Sequence, residues 1–223
     1  MIYILQILAI ILTIYIFWYL NLNILQVSKY NIYSTKLPKA FDGYKIVHLS
    51  DLHLKEFGKN NATLISKINK ISPDIIVVTG DMVCKKNTDF SVVRNLMKIL
   101  SKKYKIYYCL GNHELDERFK TFKKFKEELT NMGVVFLQDK YIEIKKDGDI
   151  IRMFGMDFRE KIVFRNSRKM VVRNDCNVLN SIFISLDKKM YNILLAHDAL
   201  DYDIYDEFGF DLVFCRSCTW WWS

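Results

Sequence analysis

The sequence predicts an α/β domain preceded by one N-terminal transmembrane helix. Three observations carry this. Short apolar runs alternate with stretches of helical periodicity, polar residues recur directly after several of those runs, and residues 2–26 carry no charge.

The N-terminal element comes first in the chain. Residues 2–26 are dominated by Ile, Leu, Tyr, Phe and Trp, and about twenty such residues in a helix cross the roughly 30 Å hydrocarbon core of a bilayer. Trp18, Tyr19 and Tyr30 sit where an aromatic belt meets the headgroups. A basic leader and a small-residue cleavage site are both missing, which favours an uncleaved anchor over a signal peptide. A stretch apolar on all sides also argues against a helix packed on a soluble core. The expected organisation is an anchor over 1–28, a linker over 29–39 and one domain over 40–223, giving a single-pass protein of the cell membrane. Lys29, Lys36 and Lys39 follow the span, which favours a cytoplasmic body under the positive-inside tendency.

Bulk properties bound the rest. A chain of 223 residues holds one sizeable domain and an appendage. With 51% apolar residues and only two prolines it is neither disordered nor a loop-rich secreted scaffold. The net charge of +8 falls entirely after residue 28. It suits phosphate esters, nucleic acid or an acidic lipid surface, or simply solvates helices such as 117–128. Five cysteines, odd in number and mostly isolated, do not form a disulfide framework, and the Cys215/Cys218 pair lacks the second pair a zinc site needs.

Within the body the apolar runs are 44–49, 74–79, 105–110, 133–137, 150–156, 192–196 and 210–214. Continuous runs of this length suit strands covered on both faces. Between them 60–72, 88–102 and 117–132 carry helical spacing, as in Leu64, Ile65, Ile68 and Ile71. In an α/β architecture of this kind ligands sit beyond the carboxyl ends of the strands.

Those ends read Ser50-Asp51-Leu52-His53, Gly80-Asp81, Gly111-Asn112-His113-Glu114 and His197-Asp198. An Asp or Asn after a strand is ordinarily a turn former or cap. Three of the chain's four histidines lie in these segments, however, and only His48, inside the first run, stands apart as an expected core residue. Imidazole and carboxylate ligands suit Mn, Fe or Zn. Two such ions, about 3.5–4 Å apart, can activate a water and stabilise the attacking and leaving oxygens of a phosphoryl group.

The ordered series D-x-H, G-D, G-N-H-E and a later H resembles the calcineurin-like metallophosphoesterase family. The likeness runs from about residue 40 to the end of the chain, and the lead-in 37–54 with a preceding apolar helix resembles its membrane-associated bacterial branch. The resemblance implies an αββα sandwich and a dinuclear centre of two divalent ions. Asp51 and His53 would bind the first ion, Asp81 would bridge both, and Asn112 and His197 would bind the second. His113 would protonate the leaving oxygen or stabilise the transition state, while Glu114 and Asp198 would orient histidine or bound water. The implied activity is membrane-associated hydrolysis of a phosphoester, lipid-linked in one reading, by a two-metal-activated water. Family members face either side of the membrane, which leaves the side of the body open. A metal-dependent nuclease is the alternative, without the aromatic-plus-basic strand pattern of a nucleic-acid binder; no specific protein or nucleic-acid partner is expected. Where the family often carries an acid after G-D-x-x, this chain has Cys84, a departure expected to be peripheral.

The family closes its site with G-H-x-H after a strand like 210–214, whereas this chain reads Cys215-Arg216-Ser217-Cys218-Thr219-Trp220-Trp221-Trp222-Ser223. Trp has the single codon TGG, so three in a row read one base later give Gly-Gly. An allowed coding of Arg216 to Trp220 likewise becomes Gly-His-Val-His-Gly. The expectation is a one-base frameshift near Cys215–Arg216, leaving the fold C-terminally incomplete and each ion short of one imidazole. An impaired enzyme or an inactive truncated remnant would follow.

Overall fold

The computed structural model describes residues 2–85, 89–115, 120–157, 163–166, 169–172, 186–197, 205 and 208–215. The tail from Arg216 onward, and Asp198, lie outside the described residues.

The body is built on two sheets. β1 (Ile46–Leu49), β2 (Ile75–Val78), β3 (Lys105–Tyr108) and β4 (Val134–Phe136) form a parallel sheet in that order. The connections carry α2 (Ala62–Ile71), α3 (Ser91–Leu100) and α4 (Lys120–Asn131), matching the expected alternation. Asp89 Oδ1 accepts from Ser91 N at 2.9 Å and so marks the start of α3.

In the second sheet, β5 (Lys140–Lys146) and β6 (Asp149–Met156) form an antiparallel hairpin, and β9 (Asn192–Ala196) and β10 (Leu212–Phe214) extend it in parallel from β6. A separate hairpin joins β7 (Val163–Asn166) to β8 (Lys169–Val172).

Pleating explains why the central strands read as unbroken apolar runs. Ile76, Val78, Ile106 and Tyr108 face the helices and pack with Leu64, Ile68, Leu96, Met97 and Leu129. Their neighbours Ile75, Val77, Tyr107 and Cys109 face the second sheet and pack with Ile151, Met153, Ile193 and Leu195. Each strand thus buries both faces, and the layers run helix, sheet, sheet. On the far side Phe154, Leu194 and Ala196 meet Tyr205 and Phe210.

The N-terminal apolar stretch forms α1 (Ile2–Asn23). Among the described residues, no helix is long and apolar enough to cross a membrane. The expected transmembrane span is thus not borne out among the described residues; α1 is an apolar helix of 22 residues whose described side chains are exposed all round, among them Leu5, Ile7, Ile10 and Ile14.

His48 behaves as a core residue. Its Nε2 lies 2.7 Å from Thr79 Oγ1 and its ring packs against Phe214, with centroids 5.3 Å apart. Burial depresses its pKa to about 4, against a smaller opposing pull from Asp51.

Candidate metal centre

The first two strand-end loops are laced together by backbone bonds that carry the sheet pattern beyond the strands. Asp51 N donates to Gly80 C=O at 3.1 Å, His53 N to Asp81 C=O at 3.0 Å and Leu54 N to Met82 C=O at 2.9 Å. Asp51, His53 and Asp81 all adopt left-handed backbone angles, with φ of 52°, 47° and 53°. For non-glycine residues such angles are uncommon and persist where surrounding bonds hold them.

Gly80 and Gly111 let the second and third loops touch. A Cβ on Gly80, at φ 88°, would lie 2.2 Å from Gly111 N, and one on Gly111 would lie 2.4 Å from Asp81 Oδ1. Glu114, fully buried, binds the loops from within. It accepts from Asp81 N at 2.8 Å, Met82 N at 2.9 Å, Gly111 N at 3.0 Å and the Tyr108 hydroxyl at 2.8 Å. Burial, then Asp81, pushes the Glu114 carboxyl up, and these bonds hold it back. Glu114 therefore clamps backbone amides, a correction to the expectation that it orients histidine or water.

The clamp sets the direction of Asp81. Its Oδ1 accepts from His113 N at 2.9 Å, which leaves Oδ2 turned to His197 Nε2 at 3.4 Å and His113 Nε2 at 3.7 Å. His197 is fixed from behind, with Nδ1–H donating to Thr79 C=O at 2.7 Å, so the neutral ring presents the Nε2 lone pair forward. Asn112 Oδ1 stands 3.0 Å from both His197 Nε2 and Asp81 Oδ2. Three polar atoms thus converge, which a proton on His197 Nε2, a turned Asn112 amide or a cation can each satisfy.

A cation bound by all three is one way to satisfy that arrangement. Without one the Asn112 amide turns over, donating to Asp81 Oδ2 and His197 Nε2 while its oxygen accepts from Lys85 Nζ at 3.1 Å. Beside this trio, Asp51, His53 and Asp81 each offer a ligand atom within 4.8 Å of the other two, with His53 Nε2 3.6 Å from Asp51 Oδ1. Ser50 Oγ–H donates to Asp51 Oδ2 at 2.5 Å. The donor sets, rich in oxygen and imidazole, fit Mn, Fe or Zn.

Electrostatics follow from the packing. Burial works most strongly against ionising Asp81, but the bond and charge of His197 and the amide and ring of His113 outweigh it and hold the carboxyl low. The bond from Asp51 raises His53 against burial. Burial lowers His197, but Asp81 more than offsets this and the net direction is up. His113 is lowered by burial, with His53 and Lys85 adding to the effect and Asp81 opposing it.

In the metal-free chain the raised histidines stabilise the fold below the ordinary histidine pKa, and that contribution fades as pH rises through their folded values. Asp81, held low, contributes above the ordinary carboxylate pKa and loses this on acidification. A cation that takes His53 and His197 as ligands must displace their protons. Calorimetric titration with Mn²⁺ is therefore expected to show affinity rising about tenfold or more from pH 6 to pH 8; equal affinity at both would mean that these imidazoles are not displaced.

The sequence-predicted residues Asp51, His53, Asp81, Asn112, His113 and His197 thus converge on one site. Sequence reasoning missed Thr79, Lys85 and Tyr108, and treated Cys84 as peripheral, whereas its Sγ lies within 4.8 Å of ligand atoms of His53 and His113. Thr79 is the last residue of the run 74–79, and its C=O at the strand end was the available signal.

Carboxylate, amide and imidazole donors gathered at the carboxyl ends of parallel strands define an α/β protein with a candidate divalent-cation centre. The calcineurin-like phosphoesterase profile matches residues 44–217, and the chain belongs to that family of metal-dependent phosphoester hydrolases. It is 27% identical over 209 residues to an uncharacterised metallophosphoesterase of Campylobacter jejuni, covering 92% of this chain and 51% of that protein. A UDP-2,3-diacylglucosamine pyrophosphatase of Chlamydia trachomatis is 35% identical over 107 residues, 43% of this chain and 30% of that one. A transmembrane protein with a metallophosphoesterase domain from Danio rerio is 26% identical over 135 residues, 58% and 30% of the two chains. The chain spans about half or less of the length of these relatives.

Proposed function

We propose that the chain is a metal-dependent phosphoesterase that works at a membrane surface on a phosphoester, lipid-linked in the first instance. The convergence of Asp81 Oδ2, Asn112 Oδ1 and His197 Nε2, within 3.4 Å of one another, carries the reading. Asp51 and His53 would hold one divalent ion and Asn112 and His197 the other, with Asp81 serving both. Bound there, two divalent ions supply charge neutralisation and an activated water.

The protein's own residues do the positioning. Glu114 and the Gly80–Gly111 contact hold the loops at fixed separation, and Thr79 holds His197 in its ligating tautomer. Lys85 N donates to His113 Nδ1 at 3.2 Å, so a neutral His113 carries its proton on Nε2, the atom on the Asp81 side. With its pKa lowered, the ring acts at neutral pH as a hydrogen-bond donor to a developing oxyanion or to the leaving oxygen.

The exposed apolar surface of α1 supports membrane attachment. The name of the chlamydial relative supports a lipid-linked substrate. In detergent with Mn²⁺, the chain is expected to hydrolyse a chromogenic phosphodiester weakly as its sequence reads and faster with Gly-His-Val-His-Gly restored after residue 215, with His113→Asn lowering kcat about a hundredfold or more while Mn²⁺ stays bound. Mn²⁺-independent hydrolysis, or an unchanged kcat in His113→Asn, would refute the assignment.

A further inference from the structure

A second ligand set stands at the mouth of the centre, sharing His53 and His113 with the hydrolytic reading and adding Cys84, which that reading does not use. His53, Cys84 and His113 each bring one donor atom within 4.8 Å of the other two, and all three are partly exposed. The two rings face each other with centroids 4.6 Å apart and planes at 55°. Cys84 Sγ–H donates to His53 C=O at 3.1 Å. Cys84 stands two residues after Met82, whose C=O is tied to Leu54 N at 2.9 Å and whose N is held by Glu114.

We propose that His53, Cys84 and His113 form a site for a thiophilic divalent cation, of the Zn²⁺ or Cd²⁺ class, overlapping the hydrolytic centre. One sulfur and two imidazole nitrogens match the donors of borderline-soft ions, with the fourth tetrahedral position open to water. The oxygen-rich set of Asp51, Asp81 and Asn112 suits harder ions such as Mn²⁺. The chain therefore sorts cations by softness across a few ångströms. Ligation takes Cys84 as the thiolate, its proton leaving to bulk water. A thiophilic ion seated there engages His53 and His113 and so inhibits. This last consequence rests on the function proposed above; the binding site does not.

The test titrates the Mn²⁺-loaded full chain in detergent with Cd²⁺ alone and follows the ultraviolet sulfur-to-cadmium charge-transfer band. A band saturating at one Cd²⁺ per chain is expected. It should vanish in both Cys84→Ser and Cys84→Asp, with Cd²⁺ affinity lower by about tenfold or more, and persist in the Cys215→Ser/Cys218→Ser double variant. Circular dichroism reports whether each variant is folded, and the Asp variant keeps an oxygen donor in place should the Ser variant fail. A band retained in both Cys84 variants, or absent from the parent, overturns the proposal. A parent that hydrolyses with Mn²⁺ but lacks a Cys84-dependent band overturns this inference alone; the band without Mn²⁺-dependent hydrolysis overturns only the functional reading.

Discussion

Replacing Asp81 with Asn is expected to lower Mn²⁺ affinity by about a hundredfold or more, equivalent to about 3 kcal/mol, and to abolish phosphodiester hydrolysis. The substitution is nearly isosteric and keeps an oxygen for His113 N, which Asp81 Oδ1 binds at 2.9 Å. The fold should therefore survive. What is lost is the charge at Oδ2, the atom facing His197, His113 and Asn112, and with it the counter-charge that the proposed pair of cations would need. The raised pKa of His197 also derives from Asp81, so the variant should return that imidazole toward lower values, seen in its proton NMR titration. Near-parental Mn²⁺ affinity in a folded Asp81→Asn protein would mean that Asp81 does not lie between the ions.

Glu114→Ala should have the largest effect on stability. Its carboxylate receives three backbone amides and the Tyr108 hydroxyl in a fully buried position. Truncation strands four buried donors at once, each costing about 1–3 kcal/mol when left unsatisfied. After partial relaxation a loss of about 3–5 kcal/mol is expected in urea unfolding, a large share of the 5–15 kcal/mol typical of a domain. Glu114→Gln keeps one oxygen and should cost less. Metal affinity should fall in parallel, because the clamp sets the Asp81 and Gly111 loops. A Glu114→Ala protein within about 1 kcal/mol of the parent would remove the clamp from the account.

Much of the fold was legible because β2 and β3 are covered on both faces and so advertise themselves as continuous β-branched and aromatic runs. β5 escaped because it is an edge strand. Only Ile144 in it is buried, the other positions are exposed or partly buried, and they include Lys140, Glu143, Lys145 and Lys146, so no continuous apolar run exists. The signal it does carry is Asp147-Gly148, both at positive φ (48° and 90°), the dipeptide that favours a tight hairpin turn. The site residues could be read from strand-end placement, since the architecture fixes where such ends converge. The role of Glu114 could not: a carboxylate one residue after a histidine looks the same in sequence whether it turns toward a ligand or inward to backbone amides. Cys84 was likewise invisible as a neighbour of His113, because the contact forms across two loops that only the fold brings together.

Anomalous diffraction from crystals of the full chain grown with Mn²⁺ tests the central claim most directly. The account predicts two peaks about 3.5–4 Å apart, flanking Asp81 Oδ2, with Asn112 Oδ1 and His197 Nε2 on one and Asp51 and His53 on the other. Peaks confined to other parts of the molecule, with the Asn112 amide turned so that its oxygen meets Lys85, would contradict it.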